Sequence, residues 1–126
     1  MQTLVLFVHY NAGTNGSLLM ETIRSRFPSM ETRVIQTHGD LEDWLLNKGT
    51  GLFDKRFIIL FADTGERLNR LRDLTDLFEG EQLIILLPDQ DKKTVERVNR
   101  FRPRYFSFST GPYDDVCDVL TKMIRR

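Results

Sequence analysis

A chain of 126 residues with 40% hydrophobic and 29% charged side chains has the composition of a soluble globular protein able to bury a core of its own. Its 18 basic and 18 acidic residues cancel, so no overall field draws it to nucleic acid or to an anionic membrane surface. The lone Cys117 excludes an internal disulfide and fits a reducing compartment; with no leader pattern and no apolar stretch near the roughly 20 residues of a membrane span, the expectation is one cytoplasmic domain over residues 1–126.

The first apolar run, residues 4–10 (LVLFVHY), is nearly continuous, as in a strand covered on both faces. After the turn-rich residues 11–17 (NAGTNGS), Leu18, Leu19, Thr22, Ile23 and Phe27 recur at helical spacing until Pro28 stops the helix. A second run, 32–36 (TRVIQ), is shorter and more polar and suits a strand near a sheet edge. Asp40 is the expected N-cap of a short helix burying Leu41, Trp44 and Leu45, with Gly49 beyond its end. The third run, 56–62 (RFIILFA), leads to a helix expected from Glu66 to Phe78 that carries Leu68, Leu71, Leu74 and Thr75 inward and closes at Gly80.

The fourth run, 83–87 (LIILL), precedes a helix capped by Asp91 that buries Val95 and Val98 before Pro103. In the fifth, 105–108 (YFSF), Phe106 and Phe108 alternate with Ser107 and Ser109, so one face of that strand is less demanding. The last helix is expected to begin at Pro112 and to bury Val116, Val119, Leu120, Met123 and Ile124. Its acids, Asp114 and Asp115, lie early and its bases, Lys122, Arg125 and Arg126, late, as the helix dipole favours.

Five strand–helix units joined by right-handed crossovers predict a three-layer α/β/α fold on a five-stranded parallel sheet of order 2-1-3-4-5, a flavodoxin-like topology. Ligands of such sheets bind beyond the carboxyl ends of the strands, near the switch between strands one and three.

The five units, and above all the closing segment YFSFSTGPYDDVCDVLTKMIRR with its aromatic fifth strand and proline-led amphipathic helix, resemble the response-regulator receiver domain over the whole chain. The resemblance implies a CheY-like fold and a signalling role. It also implies a phosphoryl-accepting aspartate after strand three, two magnesium-binding acids after strand one, a hydroxyl after strand four and a lysine after strand five. In this chain the acid pair falls on Val8 and His9, or on His9 and Tyr10; the acceptor falls on Phe61 or Ala62, the hydroxyl on Leu87 or Pro88, and the lysine on Gly111. The resemblance is therefore to a degenerate receiver, a non-catalytic module with no metal and no cofactor. Its partner would be a protein or a second copy, docked on the fourth helix, fifth strand and fifth helix. Arg97, Arg100, Phe101 and Tyr105 are the candidates for that surface, in a region made basic by Lys92, Lys93, Arg102 and Arg104 but diluted by Asp89, Asp91 and Glu96.

Other residues near the strand ends carry alternatives. Asp63, with Asp89 or Asp91, is a candidate atypical phosphoacceptor or metal ligand; the competing reading makes Asp63 the cap of the helix that follows. His9 is either an acid/base group or a side chain held by loop backbone, and His38 is given no role. Asn11, Gly13, Thr14, Asn15, Gly16 and Ser17 are the candidates for a phosphate- or FMN-binding loop, since the segment follows a strand and opens a helix. It is similar to the phosphate loop of flavodoxins at Thr14 and Ser17, and departs from it at Ala12 and Asn15. Tyr10, Tyr113 and Trp44 would be the aromatic partners of a flavin, although Trp44 reads as core. Cys117 reads as inert packing.

Overall fold

Each apolar run forms a strand, and the first four strands begin one or two residues earlier than their runs because polar residues continue the ladder at their amino ends. The computed structural model describes residues 2–48 and 55–125. Strands β1 (Gln2–Phe7), β2 (Glu31–Ile35), β3 (Lys55–Phe61), β4 (Gln82–Leu87) and β5 (Tyr105–Phe108) alternate with helices α1 (Gly13–Arg26), α2 (His38–Asn47), α3 (Gly65–Arg72), α4 (Lys92–Arg97) and α5 (Asp114–Ile124). The sheet is parallel with order β2-β1-β3-β4-β5. It is the doubly wound arrangement expected from the sequence.

Continuous apolar strands serve both faces of the sheet. Val5, Phe7, Ile58, Leu60, Ile85 and Leu87 pack with Leu41, Leu45, Leu68 and Leu71 of α2 and α3. Leu4, Leu6, Ile59, Phe61, Ile84 and Leu86 pack with Leu19 and Ile23 of α1 and with Val116 and Leu120 of α5. Each Leu, Ile or Phe fully withdrawn from water in these layers contributes roughly 1.5–3 kcal/mol. Against the second layer, α1 lies so close that a Cβ on Gly16 would stand 2.7 Å from Val8 Cγ1 and 2.8 Å from Ala12 Cβ.

Several local expectations are corrected. Leu18 is 49% exposed, because the inward stripe of α1 runs through Gly16, Leu19 and Ile23 and leaves its neighbour off-phase. Thr37, not Asp40, caps α2; its hydroxyl accepts the Asp40 N–H at 3.1 Å. Gly49, expected just past that helix, lies outside the described residues. The third helix stops at Arg72, and Thr75–Phe78 continue as a tighter 3-10 turn. Gly80 then sits at φ +82°, a conformation that favours glycine. Asp91 occupies the N-cap position of α4 without a side-chain capping bond, and Asp89 Oδ1 accepts the Asp91 N–H at 3.0 Å. Helix α4 buries Thr94, with Val95 only partly covered. The last helix begins at Asp114, two residues after Pro112.

In strand β5 the less demanding face is the one that carries the phenylalanines: Ser107 and, just past the strand, Ser109 are buried, while Phe106 is 36% exposed and Phe108 is partly buried against the layer of α2 and α3. Ser107 pairs with Leu86 in register and so faces the layer of α1 and α5. There its hydroxyl donates to Asp115 Oδ2 at 2.6 Å, and the Tyr105 hydroxyl donates to the same oxygen at 2.8 Å. At the opposite end of the sheet, Glu81 receives Lys48 Nζ at 3.3 Å and Arg56 Nη2 at 2.9 Å. Lys48 also donates to Leu77 O at 2.8 Å and Arg56 to Lys48 O at 3.0 Å. These contacts join the end of α2, the start of β3 and the turn before β4.

Candidate functional site

The carboxyl ends of β1 and β3, where the chain winds first one way and then the other, are where an open parallel sheet offers a crevice. After β1 come buried Val8 and His9, and β3 ends on buried Phe61 with buried Ala62 following. The first acid past β3 is Asp63, and its Oδ1 is held by Arg67 Nε at 3.1 Å, one turn into α3. Asp63 does not cap α3; the Thr64 hydroxyl does, accepting the Arg67 N–H at 3.0 Å. Asp89 is engaged in its own turn with Asp91. Among the described residues no three His, Cys, Asp or Glu side chains gather in a way that could hold a metal ion.

The crevice is lined by His9, Tyr10, Asn11, Thr64, Glu66, Arg67 and Arg70, around a volume of about 260 Å³. His9 is nearly covered, and its Nδ1 accepts the Asn11 N–H at 3.1 Å, which fixes the neutral ring with its proton on Nε2. Tyr10 stacks on it with centroids 4.2 Å apart and is itself 65% exposed. Burial lowers the His9 pKa, helped by the positive charges of Arg67 and Arg70 and opposed by Asp63. His38, at the start of α2, is also lowered by burial; Arg70 and Arg67 add to this while Glu42 and Asp73 oppose it. One pair of arginines thus acts on both histidines. Arg67 is tied to Asp63, whereas Arg70 is exposed and has no ion-pair partner within 4.0 Å among the described residues.

Residues 11–17 belong largely to α1 rather than to an open loop. The N–H of Asn11 goes to His9 Nδ1 and that of Ala12 to His9 O, so two amides that would face an anion serve the turn. Gly13 opens the helix at φ +73°. Thr14, Asn15 and Ser17 are exposed, and Gly16 is buried as the point of closest approach between α1 and Val8. Of the aromatic residues considered for a flavin, Tyr113 is buried, its hydroxyl donating to Ser109 O at 2.6 Å with Asn15 O 3.2 Å away. Trp44 lines a separate groove along the open edge of β2, with Arg33, Asp40 and Asp43.

On the far side of the sheet the residues expected at a partner surface separate. Phe101 is buried at 5% exposure with its ring 6.3 Å from that of Phe78, because the 3-10 turn Val98–Phe101 folds it under the sheet layer; it belongs to the core, not to a surface. Tyr105 is partly buried and committed to Asp115. Arg97 donates to Asn69 Oδ1 at 3.2 Å, and Arg100 is exposed. Phe106, whose alternation with Ser107 did not mark it as a surface residue, is the exposed apolar side chain there, set edge-on to Phe108. Cys117 is fully buried, which pushes its thiol pKa up.

The fold has solved counterparts. The chain is similar to a response regulator receiver domain from Rhodospirillum rubrum, at 11% identity and a TM-score of 0.61, over 95% of this chain and 89% of that one. It is similar also to a candidate pilus assembly protein, CpaE, from Burkholderia thailandensis, at 20% identity and a TM-score of 0.56, over 100% of this chain and 99% of that one. No family model matches the chain, and no curated protein matches it. At such identities the likeness is one of fold, and that fold is the CheY-like receiver fold. No helix among the described residues is long and apolar enough to cross a membrane.

Proposed function

We propose that this chain is a receiver-fold signalling module that acts by protein contact and not by aspartyl phosphorylation. The observation that carries the reading is the end of β3, where Phe61 and Ala62 are buried at the acceptor position and the next acid is bound to Arg67. A carboxylate engaged by a guanidinium at 3.1 Å is a weakened nucleophile. The position after β1 offers a neutral imidazole in place of the two acids that would hold magnesium, and Gly111 leaves no lysine after β5.

The contact surface in this reading is the open flank of α4, β5 and α5, where Phe106 is exposed on β5 and Arg104 is exposed at the start of that strand. An exposed aromatic anchor at a sheet margin suits a protein partner or a second copy. The test has two arms. Incubation with acetyl phosphate and magnesium, followed by intact mass measurement, is expected to leave the protein unmodified; a phosphoryl adduct lost in Asp63→Asn refutes the reading. Light scattering across a concentration series is expected to show self-association that Phe106→Asp abolishes, or, if the chain is monomeric, capture of a protein partner that the same change abolishes. Association unaffected by Phe106→Asp removes this surface from the reading.

A further inference from the structure

The crevice above β1 and β3 combines features that the contact-surface reading does not use. Two arginines of one helix, Arg67 and Arg70, stand on its wall, one turn apart. The guanidinium of Arg67 is fastened at Nε by Asp63, which fixes its plane and leaves its other N–H groups for a further acceptor. Arg70 has no counter-ion within 4.0 Å among the described residues although it faces a crevice of about 260 Å³. Across from them His9 presents a neutral ring whose Nδ1 is already occupied, so its remaining Nε2–H is a donor. Thr64 and Asn11 add polar groups on the rim. The wall is therefore rich in donors, and its one carboxylate is that of exposed Glu66.

We propose that this crevice is an oxyanion site, in which the phosphate group of a small phosphate monoester is held by the guanidinium groups of Arg67 and Arg70 with His9 opposite. Arginine is the side chain suited to this task, since its planar fork matches two oxygens of a tetrahedral anion at once. The size of the crevice favours a small molecule over a folded partner. The site lies at the strand ends where open parallel sheets gather their ligands, and it stands apart from residues 11–17, whose first amides are taken by His9. In polarity it is the reverse of a metal site. The proposal is independent of the α4, β5 and α5 flank, so either can fail without the other.

Inorganic phosphate is the probe, titrated into the labelled protein against chloride at matched ionic strength and followed by proton–nitrogen correlation spectra. Saturable shifts are expected at Asn11, Thr64 and the start of α3, with phosphate and not with chloride. Arg70→Gln, at an exposed position, is expected to weaken binding about tenfold, the loss of a charge-assisted contact, and Glu66→Gln to tighten it by removing a like charge from the rim. A bound anion also stabilises imidazolium, so the ring protons of His9 and His38 are expected to titrate at higher pH in phosphate than in chloride. Equal shifts with both salts, phosphate binding indifferent to Arg70→Gln, or saturable shifts confined to other parts of the chain each overturn the proposal.

Discussion

Asp115 joins β5 to α5, and its replacement gives a prediction with a worked sign. Ser107 and Tyr105 both donate to one of its oxygens, at 2.6 and 2.8 Å. Burial pushes the Asp115 pKa up, but the Ser107 hydroxyl, the Tyr105 hydroxyl and the backbone N–H groups of Val116 and Asp115 together leave it below the usual carboxylate value. A hydrogen bond to a charged acceptor contributes about 1.5–3 kcal/mol. Two donors sharing one oxygen do not add in full, so Asp115→Ala is expected to cost about 2–4 kcal/mol at neutral pH. Asp115→Asn, which keeps an acceptor of the same shape without its charge, is expected to cost about 1–2 kcal/mol. A folded-state pKa below the unfolded one means stability that is fully present above the ordinary carboxylate range and lost as pH falls through the lowered value. The gap between wild type and Asp115→Asn therefore closes in acid.

Urea unfolding at neutral and acid pH measures this gap. The ultraviolet titration of tyrosinate adds an independent readout, because the Asp115 hydrogen bond, with burial and the Asp115 charge, raises the Tyr105 pKa. That pKa is expected to fall toward its ordinary value in Asp115→Asn. A stability gap that persists undiminished in acid, together with an unchanged tyrosine titration, refutes the assignment.

Two further outcomes follow from packing and charge. Gly16→Ala gains helix propensity of about 1 kcal/mol, but its methyl group meets the stiff Val8 side chain and the Ala12 methyl below 3 Å. Overpacking of that kind costs typically 1–3 kcal/mol, so urea unfolding is expected to show a net loss of about 1 kcal/mol; a stabilised variant shows that α1 can move off the sheet freely. Glu81→Ala leaves Lys48 and Arg56 without the carboxylate that joins them, and a loss of roughly 3 kcal/mol is expected by the same method, the lower end for breaking a buried pair because both cations keep some water. A midpoint unchanged from wild type marks the pair as dispensable.

The strand order was legible because continuous runs such as RFIILFA can be satisfied only when both faces are covered, and alternating helices leave few ways to cover them. Helix ends were less legible. Thr37 and Thr64 cap where Asp40 and Asp63 were expected, since an N-cap is decided by which side chain reaches back to an amide, and nearby hydroxyl and carboxyl residues look alike in a sequence. Alternation in YFSF marked one face of β5 as different but not which one faces inward. That choice depended on Asp115, eight residues past Ser107 and across a turn, which gives a buried serine its acceptor. That Arg67 and Arg70 line the crevice was not legible, because arginines on a helix are ordinarily solvated; the Asp63–Arg67 spacing of one turn was the one hint that one of them is anchored. Phe101 misled in the opposite way, an aromatic residue among arginines that the 3-10 turn folds inward.

Strand β5 is four residues long and forms one margin of the sheet. Just beyond it the Gly111 N–H turns back to Phe108 O, and exposed Arg104 stands at its start. A margin so short gives a passing chain little backbone to zip onto, which guards against runaway strand addition. A partner docked at Phe106, as proposed, would then meet side chains more than backbone. Such a junction would open and re-form while the ladder bonds of the sheet stay closed.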